Sequence, residues 1–406
     1  MAWDDLKTDG STTLPAAEYN TMVSAIKNQG VGYYIFISGG TYYAKNMGTG
    51  AIEFSGTDIG AVCNSCIGAN TYGASIQLGP GSFNISTPIT SGAKVLVLKG
   101  TSGGMPYVPT TTPFTKIVAT ASLTDYFIKL GAAAPLDTSV GSQIENLYLD
   151  GFDRTTPLGG IYIQNVLHAL VRNVFIDDIF NAAGIGINVT GVHNNGDATF
   201  YARIENLYVR RLQTGLRLGE QANAATIIGG QFAGRAAGAY STSYGALIDG
   251  TDTATFLGST DFEDYDDANY IGVYIKSSIY DEGSHRFFGT RFEGNINDVR
   301  IDLTAGYNNF FGCGCVTVLD NCTGNAKSRF SNCNYKTENW GTATINAGTT
   351  KVVSHGLSTT PTIVNVTPTS DIGSGIRYWV DTITATQFTI NASGTVTKTF
   401  YWNAKL

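Results

Sequence analysis

The chain has 406 residues, of which 43% are apolar and only 14% charged, with a formal net charge of −7. That balance excludes a nucleic-acid partner, since no Lys/Arg cluster exists to displace phosphate counterions. Forty-nine Gly beside 20 Phe, 22 Tyr and 4 Trp exclude a disordered chain, and no run reaches the ~18 apolar residues of a membrane helix.

Met1-Ala-Trp-Asp-Asp-Leu6 lacks the basic and apolar parts of a signal peptide. The expectation is therefore a protein used in a cytoplasm or released by lysis. Residues 1–32 read as an attachment or cap segment. Thr13 caps a helix opened by Leu14-Pro15, and Tyr19, Met22, Val23 and Ile26 form one apolar stripe. From Tyr33 the pattern turns to strands: Tyr34–Tyr43, a short Ala/Ile helix after Asp58, then Ser75–Ser86 and Val95–Gly100. Thr101–Thr138 reads as a Pro/Thr-rich surface loop.

From Ile144 to Asn332 one phrase recurs. Its first form is Ile144-Glu-Asn-Leu-Tyr-Leu-Asp150, Val171-Arg-Asn-Val-Phe-Ile-Asp177 and Ile204-Glu-Asn-Leu-Tyr-Val-Arg210. Its second form is Thr226–Phe232, Thr255–Phe262, Arg286–Phe292 and Asn309–Cys315, each broken at Gly. Alternation with period two marks strands buried on one side. Repetition at a coil-like spacing means that each copy stacks on the last, because none can bury its apolar face alone. The predicted fold is all-β, a right-handed parallel β-helix over residues 33–338. After Tyr335, alternating strands at short spacing predict a small antiparallel β-sandwich over 339–406.

Six cysteines do not form a secreted disulfide framework in a chain of this size. Cys63 and Cys66 read as core thiols. Cys313, Cys315, Cys322 and Cys333 are irregularly spaced and miss the paired CxxC of structural zinc, which leaves core thiols, a disulfide or a metal open. No metal site is predicted from the four histidines.

Equivalent positions in successive coils stand about 4.8 Å apart. Aligning the first form stacks Asp150, Asp177 and Arg210, with Asp178 and Arg211 in the next file and Asp153 nearby. Two carboxylates one rung apart approach the ~5–5.5 Å of a retaining glycosidase pair, and mutual repulsion raises one pKa toward that of a general acid. Aligning the second form stacks Glu263 on Glu293, flanked by Asp261 and Arg291. Both glutamates are expected on the solvent side, beside Tyr265 and Tyr270 as platforms for sugar rings. The two clusters are alternative sites. Acids that merely end strands at turns are the plain alternative for both.

The order strand, Thr57-Asp58, short helix, Ile76-x-Leu-x-x-Gly-x-Phe83-x-Ile85 resembles the N-terminal turn of pectate-lyase-superfamily β-helices, phage tailspikes among them. The wording from Val353-x-His-Gly-Leu357 to Phe400-x-Trp402 is similar to C-terminal modules of phage tail proteins, which trimerise or bind. The resemblance implies a virion-borne, tailspike-like polysaccharide depolymerase, a homotrimer that binds a surface glycan and hydrolyses it with a carboxylate pair. Asp150, Asp177, Asp178, Glu263 and Glu293 are its candidate catalytic residues; Arg210, Arg211, Asp261, Arg291, Tyr265 and Tyr270 would hold substrate. The polygalacturonase motifs are absent except for Asp177-Asp178. No cofactor is expected for a hydrolase. A lyase is the runner-up, with Asp150 and Asp177 holding Ca2+ against a uronate and Arg210 as base. A third alternative is a non-catalytic glycan-binding or receptor-binding virion protein.

Overall fold

The computed structural model describes residues 32–101, 114–132, 139–191, 199–233, 242–251, 253–263, 270–276, 285–302, 308–321 and 328–406. The expected N-terminal helix, Tyr265 and Cys322 lie outside these residues.

Successive coils pair in parallel, strand upon equivalent strand. Each coil brings two short strands to a 19-stranded sheet and a third strand to a 9-stranded sheet. Between its first and second strands the chain passes through one left-handed residue. Asn146, Asn173 and Asn206 take φ of 58°, 53° and 50°, and Gly229, Gly258, Gly289 and Gly312 follow with φ of 63–67°. Asn and Gly are the residues that enter this region at least cost. The asparagines also form a ladder, Asn173 Nδ2 donating to Asn146 Oδ1 at 3.0 Å and Asn206 Nδ2 to Asn173 Oδ1 at 3.2 Å. Ile204 pairs with Ile227 and Tyr208 with Gln231. The two forms of the repeat are thus one structural position, with Asn exchanged for Gly at the turn.

Inward residues stack into files. On the first strand Ile144, Val171, Ile204, Ile227, Phe256, Phe287, Phe310 and Phe330 succeed one another. The last four rings stack at 4.6, 4.4 and 4.5 Å with planes within 10° of parallel. The second strand carries Ile176, Val209, Phe232, Phe262 and Phe292. Opposite them the third strand places glycines: a Cβ on Gly215 would lie 2.8 Å from Phe232 Cδ1, and one on Gly245 only 2.4 Å from Phe262 Cδ1. Large residues on one wall require none on the other, because interiors are close-packed.

At one end Tyr33–Ser38, Thr41–Asn46 and Ile52–Gly56 pair antiparallel. The expected short helix follows as Ile59–Gly68, with Asp58 Oδ1 accepting from the backbone of Gly60 and of Ser86. It buries Ile59, Val62, Cys63, Cys66 and Ile67 against the first coils. Cys63, Cys66, Cys313, Cys315 and Cys333 are all free buried thiols.

At the other end Glu338–Ser354 and Gln387–Lys405 form a long antiparallel hairpin, with Ile363–Pro368 and Tyr378–Asp381 added to the second strand. The alternating strands expected from sequence are thus four, two of them long. Register shifts around Gly348 and a φ of 47° at Ala347 bend the hairpin. Its halves close on one another, with Phe388 against Trp402 at 5.6 Å and Tyr378 against Phe400 at 5.7 Å. One sheet folded over supplies both layers around a second hydrophobic cluster.

Candidate active site

The outward side of the second strand carries the acids. Asp150 pairs with Asp177, Arg210 with Ala233, Ala233 with Glu263 and Glu263 with Glu293. Val209 pairs with Ile176, which puts Arg210 beside Asp177. The two clusters read as alternatives therefore belong to one file about 24 Å long, at about 4.8 Å per rung. Beside it runs a second outward file of Lys116, Tyr148, Phe175, Tyr208, Gln231, Asp261 and Arg291. Its aromatic part, Tyr148 edge-on to Phe175 at 4.8 Å, went unnoticed in the sequence. The signal was there in Leu-Tyr-Leu, Val-Phe-Ile and Leu-Tyr-Val.

Asp177 is fully buried. Arg210 Nε donates to its Oδ2 at 2.9 Å, Arg211 Nε to Oδ1 at 2.8 Å, Arg211 Nη2 to Oδ2 at 2.7 Å, and the Asp178 backbone N–H to Oδ1 at 2.9 Å. With both oxygens occupied and no exposure, Asp177 is an anchor for two guanidinium groups and has no free lone pair for chemistry. Asp177→Ala leaves both cations without their shared partner. It is expected to cost about 3 kcal/mol, softened because the arginines reach water, and urea unfolding would read it. Asp150 is also covered, paired with Lys116 and accepting the Phe152 N–H at 2.8 Å.

Asp178 differs. Its side chain keeps 14% exposure, its Oδ2 accepts from Arg211 Nη2 at 2.6 Å, and its Oδ1 has no hydrogen-bond partner. Burial foremost, then the charge of Asp177, pushes its pKa up to about 7; Arg211 opposes the shift, and Asp153 and Asp150 add to it. The chain is strained here, with φ of 57° at Asp178 and 53° and 56° at Phe152 and Asp153. Pairing jumps from Asp150–Asp177 to Arg154–Ile179, so Gly151, Phe152 and Asp153 together face Asp178. That bulge brings the exposed Asp153 carboxylate to the raised acid. Asp153 was read only as a nearby acid, because the extra residues of a bulge do not show in a repeat alignment.

At the far end of the file the expectation of two solvent-facing glutamates needs correction. Glu263 is buried and takes a hydrogen bond from Gln231, while Glu293 is exposed and pairs with Arg291. Arg291 also reaches Asp261 at 3.2 Å, and burial raises the Asp261 pKa against that pull. Tyr270 is no sugar platform. It is 1% exposed, its hydroxyl donates to the Phe232 carbonyl at 2.6 Å, and it fills the space left by Gly245.

The donor set does not fit a calcium ion. Ca2+ takes six to eight oxygens, but Asp177 is held by two arginines and Asp150 by a lysine. Among the described residues no group of three His, Cys, Asp or Glu could hold a metal, and no helix is long and apolar enough to cross a membrane.

No protein-family model matches the chain, and no curated protein matches it. Several solved structures are similar. The ORF18 protein of Geobacillus virus E2 is 11% identical, with 88% of this chain and 84% of that one covered and a TM-score of 0.49. The tailspike gp49 of Acinetobacter baumannii bacteriophage Fri1, a capsular polysaccharide depolymerase, is 11% identical over 86% of this chain and 82% of its own, with a TM-score of 0.32. The A-module of the Azotobacter vinelandii mannuronan C-5 epimerase AlgE4 is 12% identical over 69% and 93%, with a TM-score of 0.29.

Proposed function

We propose that the chain is a tailspike-type polysaccharide depolymerase, a glycoside hydrolase in which Asp178 is the general acid and Asp153 its partner as base. The observation that carries this is the contrast between two carboxylates on facing coils: Asp178 is largely buried, its pKa raised by that burial and its buried Oδ1 without a hydrogen-bond partner, while Asp153 is open to water. A carboxyl raised by burial is suited to the acid's part, and an exposed one beside it to the base's. Asp178 gives its proton to the leaving glycosidic oxygen, and Asp153 takes a proton from the water that attacks the anomeric carbon. One water is consumed and a reducing end appears. Arg211, held by Asp177 together with Arg210, fixes the acid in place.

The poor fit to calcium favours hydrolysis over the lyase chemistry. A panel of capsular polysaccharides, alginate and hyaluronan tests this directly. New reducing ends without a new ultraviolet-absorbing double bond support the hydrolase, and a calcium-dependent double bond replaces it with the lyase. Binding without either product leaves a virion receptor-binding protein. The homotrimer belongs to the same proposal, and the outward file Ile228, Leu257, Phe288 and Phe311 offers it an apolar contact surface. Light scattering of the purified chain is expected to give three copies; a single copy removes the trimer from the proposal.

A further inference from the structure

Phe152 is out of place by every local rule. The residue is 59% exposed, and its backbone lies at φ 53°, a region that favours Gly, Asn and Asp and strains a bulky side chain. Two residues of the bulge are extra relative to the next coil, and Phe152 and Asp153 are the left-handed ones. Bulges and left-handed non-Gly residues persist where the surroundings hold them, and they gather at functional sites. Here the holding contacts are specific. The Phe152 N–H donates to Asp150 Oδ1 at 2.8 Å. The Arg154 guanidinium lies over the ring at 5.6 Å, and its Nε is tied to the Ala119 carbonyl at 2.9 Å. The ring is thus backed on one side by an arginine tied to the preceding coil, while the bulge that carries it faces Asp178 on the next. A hydrophobic staple would be buried; this ring is not.

We infer that Phe152 is the aromatic platform on which one sugar ring of the glycan chain stacks, placing its glycosidic oxygen at Asp178. The inference rests on the hydrolase reading above. An aromatic face suits the apolar side of a pyranose ring, and the backbone strain is the cost of presenting it beside the acid. Phe152 positions substrate and takes no part in bond breaking.

The test compares wild type, Phe152→Gly, Phe152→Trp and Asp178→Asn on whichever polymer of the panel wild type degrades fastest. Gly relieves the left-handed strain, so Phe152→Gly is expected to keep or raise Tm while KM rises at least tenfold and kcat stays within about threefold. Phe152→Trp is expected to keep KM within about threefold, and the pH profile of both is that of wild type. Retardation in gels containing the same polymer should weaken for Phe152→Gly and survive in Asp178→Asn. An unchanged KM and unchanged retardation in Phe152→Gly overturn the platform while the hydrolase stands. Full turnover by Asp178→Asn sinks the hydrolase reading, and retardation then still judges Phe152 separately. A wild type that neither degrades nor binds any polymer overturns both.

Discussion

Asp178→Asn is expected to lower turnover by about a thousandfold, within the range general acid catalysis supplies, and to leave glycan binding in place. Asn fits the left-handed backbone at this position and keeps the hydrogen bond to Arg211, so loss of fold does not confound the result. The pH dependence carries the sharper signature. An acid that must be protonated, with a pKa of about 7, makes wild-type kcat fall as pH rises through about 7. The residual activity of Asp178→Asn should lack that limb.

Wild-type stability also falls as pH rises. The Asp178 pKa is raised in the folded chain, whereas an unfolded Asp titrates near about 3.9. Below that value both states hold the proton and the shift has no effect. As pH rises from about 4 to about 7 the unfolded chain releases the proton and the folded chain keeps it, so stability is lost, fully so above about 7. A gap of about three pH units at about 1.36 kcal/mol each sets a ceiling near 4 kcal/mol. Partial exposure brings the expected cost to about 2 kcal/mol. Asp178→Asn should therefore melt above wild type at pH 8 and with it at pH 3.5. An inactive variant without the neutral-pH gain would mean that Asp178 is ionised in the fold and is not the acid.

Gly245→Val is expected to have the largest effect on the fold. A Cβ at Gly245 would lie 2.4 Å from Phe262 Cδ1, 2.5 Å from the Gly272 carbonyl and 2.5 Å from the Tyr270 hydroxyl. Phe262 cannot swing away, since it stacks on Phe232 at 5.2 Å and on Phe292 at 5.5 Å. The carbonyl belongs to the next rung and cannot move without its ladder. Overpacking usually costs about 1–3 kcal/mol. With backbone and three packed rings in the way, about 4 kcal/mol or more is expected, read as a lower urea midpoint. Gly258→Asn is the control, with a φ of 67°, nothing within 4 Å of its Cβ, and Asn at the equivalent turn upstream. It should stay within about 0.5 kcal/mol of wild type. Equal losses in both variants would remove close packing as the explanation.

Much of this molecule was legible in its residues. The alternation of Ile, Leu, Val and Phe with polar residues fixed which side of each strand is buried, because a strand has a period of two and water drives one face inward. Recurrence of the phrase dictated coils, since no single copy buries enough apolar surface alone. The helix after Asp58 followed from its Ala/Ile-rich run, and the strand-rich tail from its alternation.

Tertiary structure alone decided the site. The phrases ending at Arg210 and at Phe232 look unlike each other, yet hydrogen-bond register puts Tyr208 on Gln231 and joins the two acidic clusters into one file. The same lateral packing closed Asp177 in beneath two arginines, sent Tyr270 into the gap at Gly245 and extruded Phe152 and Asp153 opposite Asp178. Sequence sets what each strand does along its own length. Which acid is covered, which is lifted and which is left in water depends on the neighbouring coils, where burial and charge between rungs set each carboxylate's state.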